Sequence, residues 1–205
     1  MKGNPIILAA RIMSIVFTPF YLSLVGLMAL FTFSYLSLLP WQYKATVLAL
    51  VYIFTILAPT LLIRVYRRNR GWNRHQLGAK ERRAVPYVIS IVCYFACCYV
   101  MALFHIPHFM ISILIAALLI QIVCALINTW WKISTHTATI GGVAGALMAF
   151  AFIFMFNPIW WLCIVLLLAG AVGTSRMILR QHTLAQVVMG FVTGWFIAYW
   201  TVLIV

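Results

Sequence analysis

SRMILRQHTLAQVVMG, Ser175 to Gly190, marks where one apolar run of the chain stops and the last one begins. Ser175-Arg176 closes the first run, His182 follows six residues after the arginine, and Gln186 stands one helical turn further on. Polar residues at the join of two long apolar segments indicate two helices that cross a bilayer and share a wet end. Two other short passages have the same character: WKISTH, Trp131 to His136, and KERRAVP, Lys80 to Pro86.

Composition supports that reading along the whole chain. Hydrophobic residues fill 66% of the 205 positions and charged residues 7%, whereas a soluble domain carries about 25% charged residues. The expected architecture is all-α, a polytopic membrane bundle of six to seven transmembrane helices forming one domain over residues 1–205. Fourteen Lys and Arg stand against one acidic residue, Glu81. The basic residues lie in loops between spans, so the partners they imply are a bilayer surface and an anionic lipid headgroup, not nucleic acid. A single carboxylate leaves a carboxylate-built Mg²⁺ or Ca²⁺ site, a paired-carboxylate hydrolase and a Ser-His-Asp triad without their parts. Neither a metal nor a cofactor is expected. Cys93, Cys97, Cys98, Cys124 and Cys163 all fall in apolar spans and read as small buried hydrophobes, with no disulfide framework. The apolar run broken by Arg11 has no small-residue cleavage site, so no cleaved leader is expected. Nothing in the pattern sets an oligomeric state.

Apolar stretches are expected as an interfacial segment at 5–15 and spans at about 16–39, 44–65, 86–104, 109–130, 137–156, 159–175 and 183–205. The count falls to six if the first lies in the interface. Pro59 should kink its span. Parity then places the loops holding KERRAVP, WKISTH and SRMILRQH on one membrane face. All the Lys and Arg except Lys44 fall on that side when the N-terminus is counted with it. The excess of positive charge orients that face to the cytoplasm of the cell's plasma (inner) membrane. Gly141, Gly142 and Gly145, with Gly190 and Gly194, have the small-residue spacing of closely packed helices and would bring the spans of His136 and His182 together.

The three passages carry the groups that phosphoryl transfer requires. Arg donates to phosphate in a bidentate fork and Lys adds a point charge. Without carboxylates, histidine is the candidate nucleophile and acid. His136 and His182 both stand beside Arg, Lys, Ser and Thr at the ends of their spans. Gln186, at i+4 from His182, can accept its ring N–H and leave the other nitrogen free to attack.

Together these residues resemble the type 2 phosphatidic acid phosphatase family of membrane lipid phosphatases. Ser175, Arg176, His182 and position 186 match its Ser-Arg-(five residues)-His-(three residues)-Asp motif, with Gln186 in place of Asp. Ser134-Thr135-His136 matches its Ser-Gly-His motif with Thr for Gly, and Arg83-Ala84-Val85-Pro86 approximates its Lys/Arg-Pro motif. The resemblance implies His182 as the nucleophile that forms a phosphohistidine and His136 as the acid for the leaving alkoxide. It implies phosphate holding by Arg176, Ser134, Lys132 and Arg83, with Lys80 and Ser175 beside them, and no metal. The activity so implied is metal-independent hydrolysis of a lipid phosphate monoester or diphosphate. A cytoplasmic site points to phosphatidylglycerophosphate, a phosphatidylinositol phosphate or a prenyl diphosphate. Undecaprenyl diphosphate or lipid A phosphate fits the opposite orientation. A lipid phosphotransferase and a non-catalytic lipid-phosphate binder or transporter remain as other classes, the latter because neutral Gln186 replaces the family Asp.

Overall fold

The computed structural model describes residues 5–33, 35–69 and 80–205, and every regular element among them is helical. In order these are α1 (Pro5–Val16), α2 (Pro19–Phe33), a 3-10 turn (Tyr35–Leu38), α3 (Trp41–Tyr52), a π-helical stretch (Ile53–Leu57), α4 (Ala58–Asn69), α5 (Lys80–Leu103), α6 (His108–Trp130), α7 (Thr135–Phe154), α8 (Ile159–Ile178) and α9 (Leu184–Ile204). Among the described residues six helices are long and apolar enough to cross a membrane: the rod Trp41–Arg68, Val85–Leu103, α6, α7, α8 and α9. Large side chains such as Leu167 and Phe196 stand exposed on their outer faces, as lipid-facing residues should. The protein is an all-α polytopic helical bundle.

The stretch expected to span at 16–39 does not form one helix. Pro19 disfavours helical backbone at Thr18, so α1 ends there and α2 restarts with proline at its first position. Its 15 residues cover only about 22 Å at 1.5 Å per residue, short of a hydrocarbon core about 30 Å thick. Leu27 and Phe31 of α2 are nevertheless buried with Val47, Val51, Tyr94, Met101 and Met110 in the largest apolar cluster. The expected distortion at Pro59 takes the form of the π-helical stretch one turn before it, which widens the helix where the proline ring would meet the carbonyl of residue 55. α1 lies against the bundle, with Met13 and Phe17 packed beside Ile140 of α7 and Val172 of α8. Of the five cysteines, Cys93, Cys97 and Cys124 are buried, Cys98 is half-buried and Cys163 is exposed, and all are unbridged.

Glycines bring α7 and α9 into backbone contact. A Cβ built at Gly194 would overlap the Ala138 carbonyl, one at Gly141 the Phe191 carbonyl, and one at Gly145 the Trp195 carbonyl. At Gly190 a Cβ would stand 2.6 Å from the Ser134 carbonyl oxygen and 2.6 Å from the Thr137 hydroxyl. The small-residue spacing read from the sequence thus has the expected consequence. Apolar burial gives little drive in lipid, so this close approach is what joins the two helices. Gly194→Ala should lower the melting temperature in detergent by several degrees, since overpacking costs about 1–3 kcal/mol. Gly170, with nothing within 4 Å of its built Cβ, is the control: a Gly170→Ala variant melting as low as Gly194→Ala would contradict this account.

Candidate active site

Three chain segments meet at one end of the bundle around a cavity of about 380 Å³. Tyr87 enters from α5 and Asn128 from the last turn of α6. The α6–α7 linker and the first turn of α7 contribute Lys132, Ile133 and Thr135, α8 contributes Arg176, and the α8–α9 linker contributes Gln181 and His182. The N-terminal part of α5, at Tyr87, and the linkers before α7 and α9 therefore open on one face, as parity required.

The α8–α9 linker is built to hold His182. Arg180 adopts left-handed backbone, φ 52°. The Gln181 N–H closes on the Arg176 carbonyl at 3.0 Å and the Arg180 N–H on Met177 at 2.9 Å, a helix-ending turn of the kind glycine usually makes. Thr183 then caps α9 in a reciprocal box: its hydroxyl accepts the Gln186 N–H at 3.4 Å, and its own N–H donates to Gln186 Oε1 at 3.2 Å. The same Oε1 lies 3.2 Å from His182 Nδ1. A backbone N–H can only donate, so the Gln186 atom it meets is the oxygen. His182 Nδ1 must then carry the ring proton, and Nε2 keeps its lone pair. A capping bond thereby selects a tautomer.

The α6–α7 linker is tied to this arrangement through its backbone. The Ser134 N–H donates to the Gln186 carbonyl at 3.3 Å. Ser134 is fully buried; its hydroxyl caps α7 by accepting the Thr137 N–H at 3.5 Å, and its carbonyl accepts the Thr137 hydroxyl at 3.0 Å. His136, two residues into α7, stands near enough to Arg176 and His182 to interact with both, and its Nδ1 is buried with no partner. Arg176 Nη1 donates to Ser14 of α1 at 2.6 Å, while its Nε is buried without a partner. Ser175 donates to the Ala171 carbonyl within its own helix at 2.8 Å.

Electrostatics favour a neutral His182 ring beside cationic groups. Burial, then Arg176 and Lys132, hold the His182 imidazole down to about 4, against the Gln186 bond and the Lys132 backbone. The ring is therefore uncharged near neutrality. Its fold-dependent contribution to stability is complete above about 6.5, the unfolded value, and is lost as pH falls toward 4. The N-termini of α7 and α9 both end at the cavity and add positive potential there.

The residues expected from sequence separate into three groups. Lys132, Arg176 and His182 line the cavity, His136 lies beside Arg176 and His182, and Gln186 orients His182. Ser134 and Ser175 do not line it; both hydroxyls are engaged in helix-internal bonds. The side chains of Lys80, Arg83 and their neighbour Glu81 lie outside the described residues. Tyr87, Asn128, Gln181 and Ser14 were not singled out. Asn128 donates to the Tyr87 hydroxyl at 3.2 Å and to the Cys124 carbonyl at 2.9 Å; an amide near the end of an apolar helix was the available signal. Ser14 gave none.

The family model of the PAP2 superfamily matches residues 128–205. This segment runs from the last turn of α6 through α9 and holds Lys132, His136, Arg176 and His182. Over that segment the chain is similar to the PAP2 superfamily, and the match supports a phosphatase-type activity on phosphate esters. No curated protein and no solved structure matches the chain.

Histidine NMR on the full chain in detergent tests the electrostatic account. The His182 resonance should titrate near pH 4, and Lys132→Gln should raise its midpoint. A midpoint at about 6.5 in both proteins would remove the burial argument.

Proposed function

We propose that the protein hydrolyses a membrane lipid phosphate, monoester or diphosphate, through a phosphohistidine at His182. The observation that carries this reading is the His182 ring itself: neutral, with Nδ1–H held by Gln186 and an Nε2 lone pair in a cavity shared with Arg176 and Lys132. Nε2 attacks phosphorus, the bond from phosphorus to the ester oxygen breaks, and that oxygen takes a proton from His136. Water then attacks phosphorus, the phosphorus–nitrogen bond breaks with its electron pair returning to Nε2, and the water gives a proton to His136. Phosphate leaves and His182 is again neutral. Arg176 and Lys132 hold the phosphoryl oxygens, where their charge counts most as the oxygens gain charge in the transition state.

A lipid substrate is supported by a second, apolar cavity of about 440 Å³ inside the bundle. Thr135 of α7 lines the polar cavity, while Thr139, Val143, Ala146 and Phe150, each one turn further along the same face, line the apolar one. On α6, Asn128 lines the first, and Gln121, Ala117 and Ile113 the second. A headgroup in one cavity has an apolar path for its chain along the faces of these two helices. The basic end of α4, with Arg64, Arg67 and Arg68, supports a cytoplasmic site and inner-leaflet substrates.

Purified protein should release phosphate from lipid phosphates in detergent with EDTA present. His182→Ala should lower that rate on the order of 10³-fold, and full activity in that variant would sink the mechanism. Gln186→Leu removes both the cap and the Nδ1 acceptor. It should destabilise the protein by about 1 kcal/mol and lower kcat far more than that loss of stability explains.

A further inference from the structure

α1 lies far from the site in sequence and outside the segment that matches the family, yet one of its residues touches the site. Ser14 accepts the Arg176 Nη1 proton at 2.6 Å across 162 residues. Its main chain also faces His136, close enough to act on the imidazole. Ser23 and Ser90 also bond across helices, but to the neutral groups of Tyr94 and Gln121; most other helical hydroxyls behave differently. Thr32, Thr46, Thr55, Ser175 and Thr201 each turn back to the carbonyl one turn earlier, the usual fate of a hydroxyl in an apolar helix. Ser14 instead serves a guanidinium on another helix.

The position is held by packing. Ala10 and Ser14 form the buried face of α1, and Met13 and Phe17 beside them are seated against Ile140 and Val172. The hydroxyl is thus delivered by apolar contacts independent of Arg176. A guanidinium has five N–H donors in a rigid fork, and Ser14 engages only Nη1. Arg176 also keeps a buried, unpartnered Nε. The long arginine side chain has large rotamer freedom to lose on binding an anion; part of it is already lost where Ser14 holds the group.

We propose that Ser14 is a positioning residue of the phosphate site: it fixes one edge of the Arg176 guanidinium so that the remaining donors meet a phosphoryl group in place. The proposal rests on the reading of this cavity as a phosphate site. It makes α1 a working part of that site and not only an interfacial helix.

Two measurements on the purified full chain separate this proposal from the hydrolysis reading. One is calorimetric binding of inorganic phosphate. The other is phosphate release from phosphatidic acid in detergent micelles. Ser14→Ala should weaken phosphate binding and raise KM, each about tenfold, with kcat changed much less, because a hydrogen bond to a charged group is lost. Ser14→Thr, which keeps the hydroxyl, should restore both values. In an Arg176→Lys background, Ser14→Ala should add nothing, since the fork it orients is gone. Unchanged or tighter phosphate binding in Ser14→Ala would overturn the proposal, as would an equal loss in the Arg176→Lys background or failure of Ser14→Thr to rescue. If the wild-type protein binds phosphate and Ser14→Ala weakens it, but no lipid phosphate is hydrolysed, the positioning role stands and the hydrolysis reading falls. A wild-type protein that neither binds nor releases phosphate overturns both.

Discussion

The contact between the backbones of α7 and α9 is the constraint from which the rest of the site follows. Ala138, Phe191 and Trp195 present carbonyl oxygens where Gly194, Gly141 and Gly145 have no side chain. Two helices this close carry their N-terminal ends side by side. The Ser134 N–H can then reach the Gln186 carbonyl, and the linkers holding His136 and His182 become one surface. In lipid such an approach rests on packing and backbone polarity, because moving apolar groups from hydrocarbon to protein gains little. Any side chain at these glycines pushes apart the two histidines together with the helices.

The chemistry of the site is shaped by the near absence of carboxylate. Glu81 is the one acidic residue in the chain, so His182 is oriented by an amide oxygen that also completes a helix cap. That oxygen fixes the tautomer as a carboxylate would, but offers less to a developing imidazolium. Arg176 and Lys132 push the same way, against protonation of the ring. The result is a neutral ring in a cationic cavity, with the positive ends of α7 and α9 turned toward it.

Position within the bundle links this polar end to the apolar interior. The polar and apolar cavities are lined by successive turns of the same faces of α6 and α7. Trp130 and Trp160 lie exposed near opposite ends of the bundle, where amphipathic rings suit the two membrane interfaces. Lys132, Arg176 and His182 therefore sit toward the end of the bundle marked by Trp130, and the apolar cavity lies further along the same helices.

The sequence by itself determined the membrane class and the helical architecture, and it singled out the polar passages with Lys132, His136, Arg176, His182 and Gln186, which the structure brings together. The sequence readings follow from apolar run length and from short-range spacing, both of which are local along the chain. It also marked the glycines, because a repeat of small residues on one helical face has one dominant use. Other features came only with tertiary structure. The span expected at 16–39 broke into α1 and a short α2 at Pro19, a helix boundary that apolar composition hides. Ser134 and Ser175, expected at the phosphate, have hydroxyls engaged within α7 and α8, because a serine at a helix end serves the backbone as readily as a ligand. Ser14, Tyr87 and Asn128 joined the site from helices distant in sequence. A lone hydroxyl in an apolar helix says nothing of its partner until packing sets two helices side by side, and here that packing gives Arg176 its partner on α1.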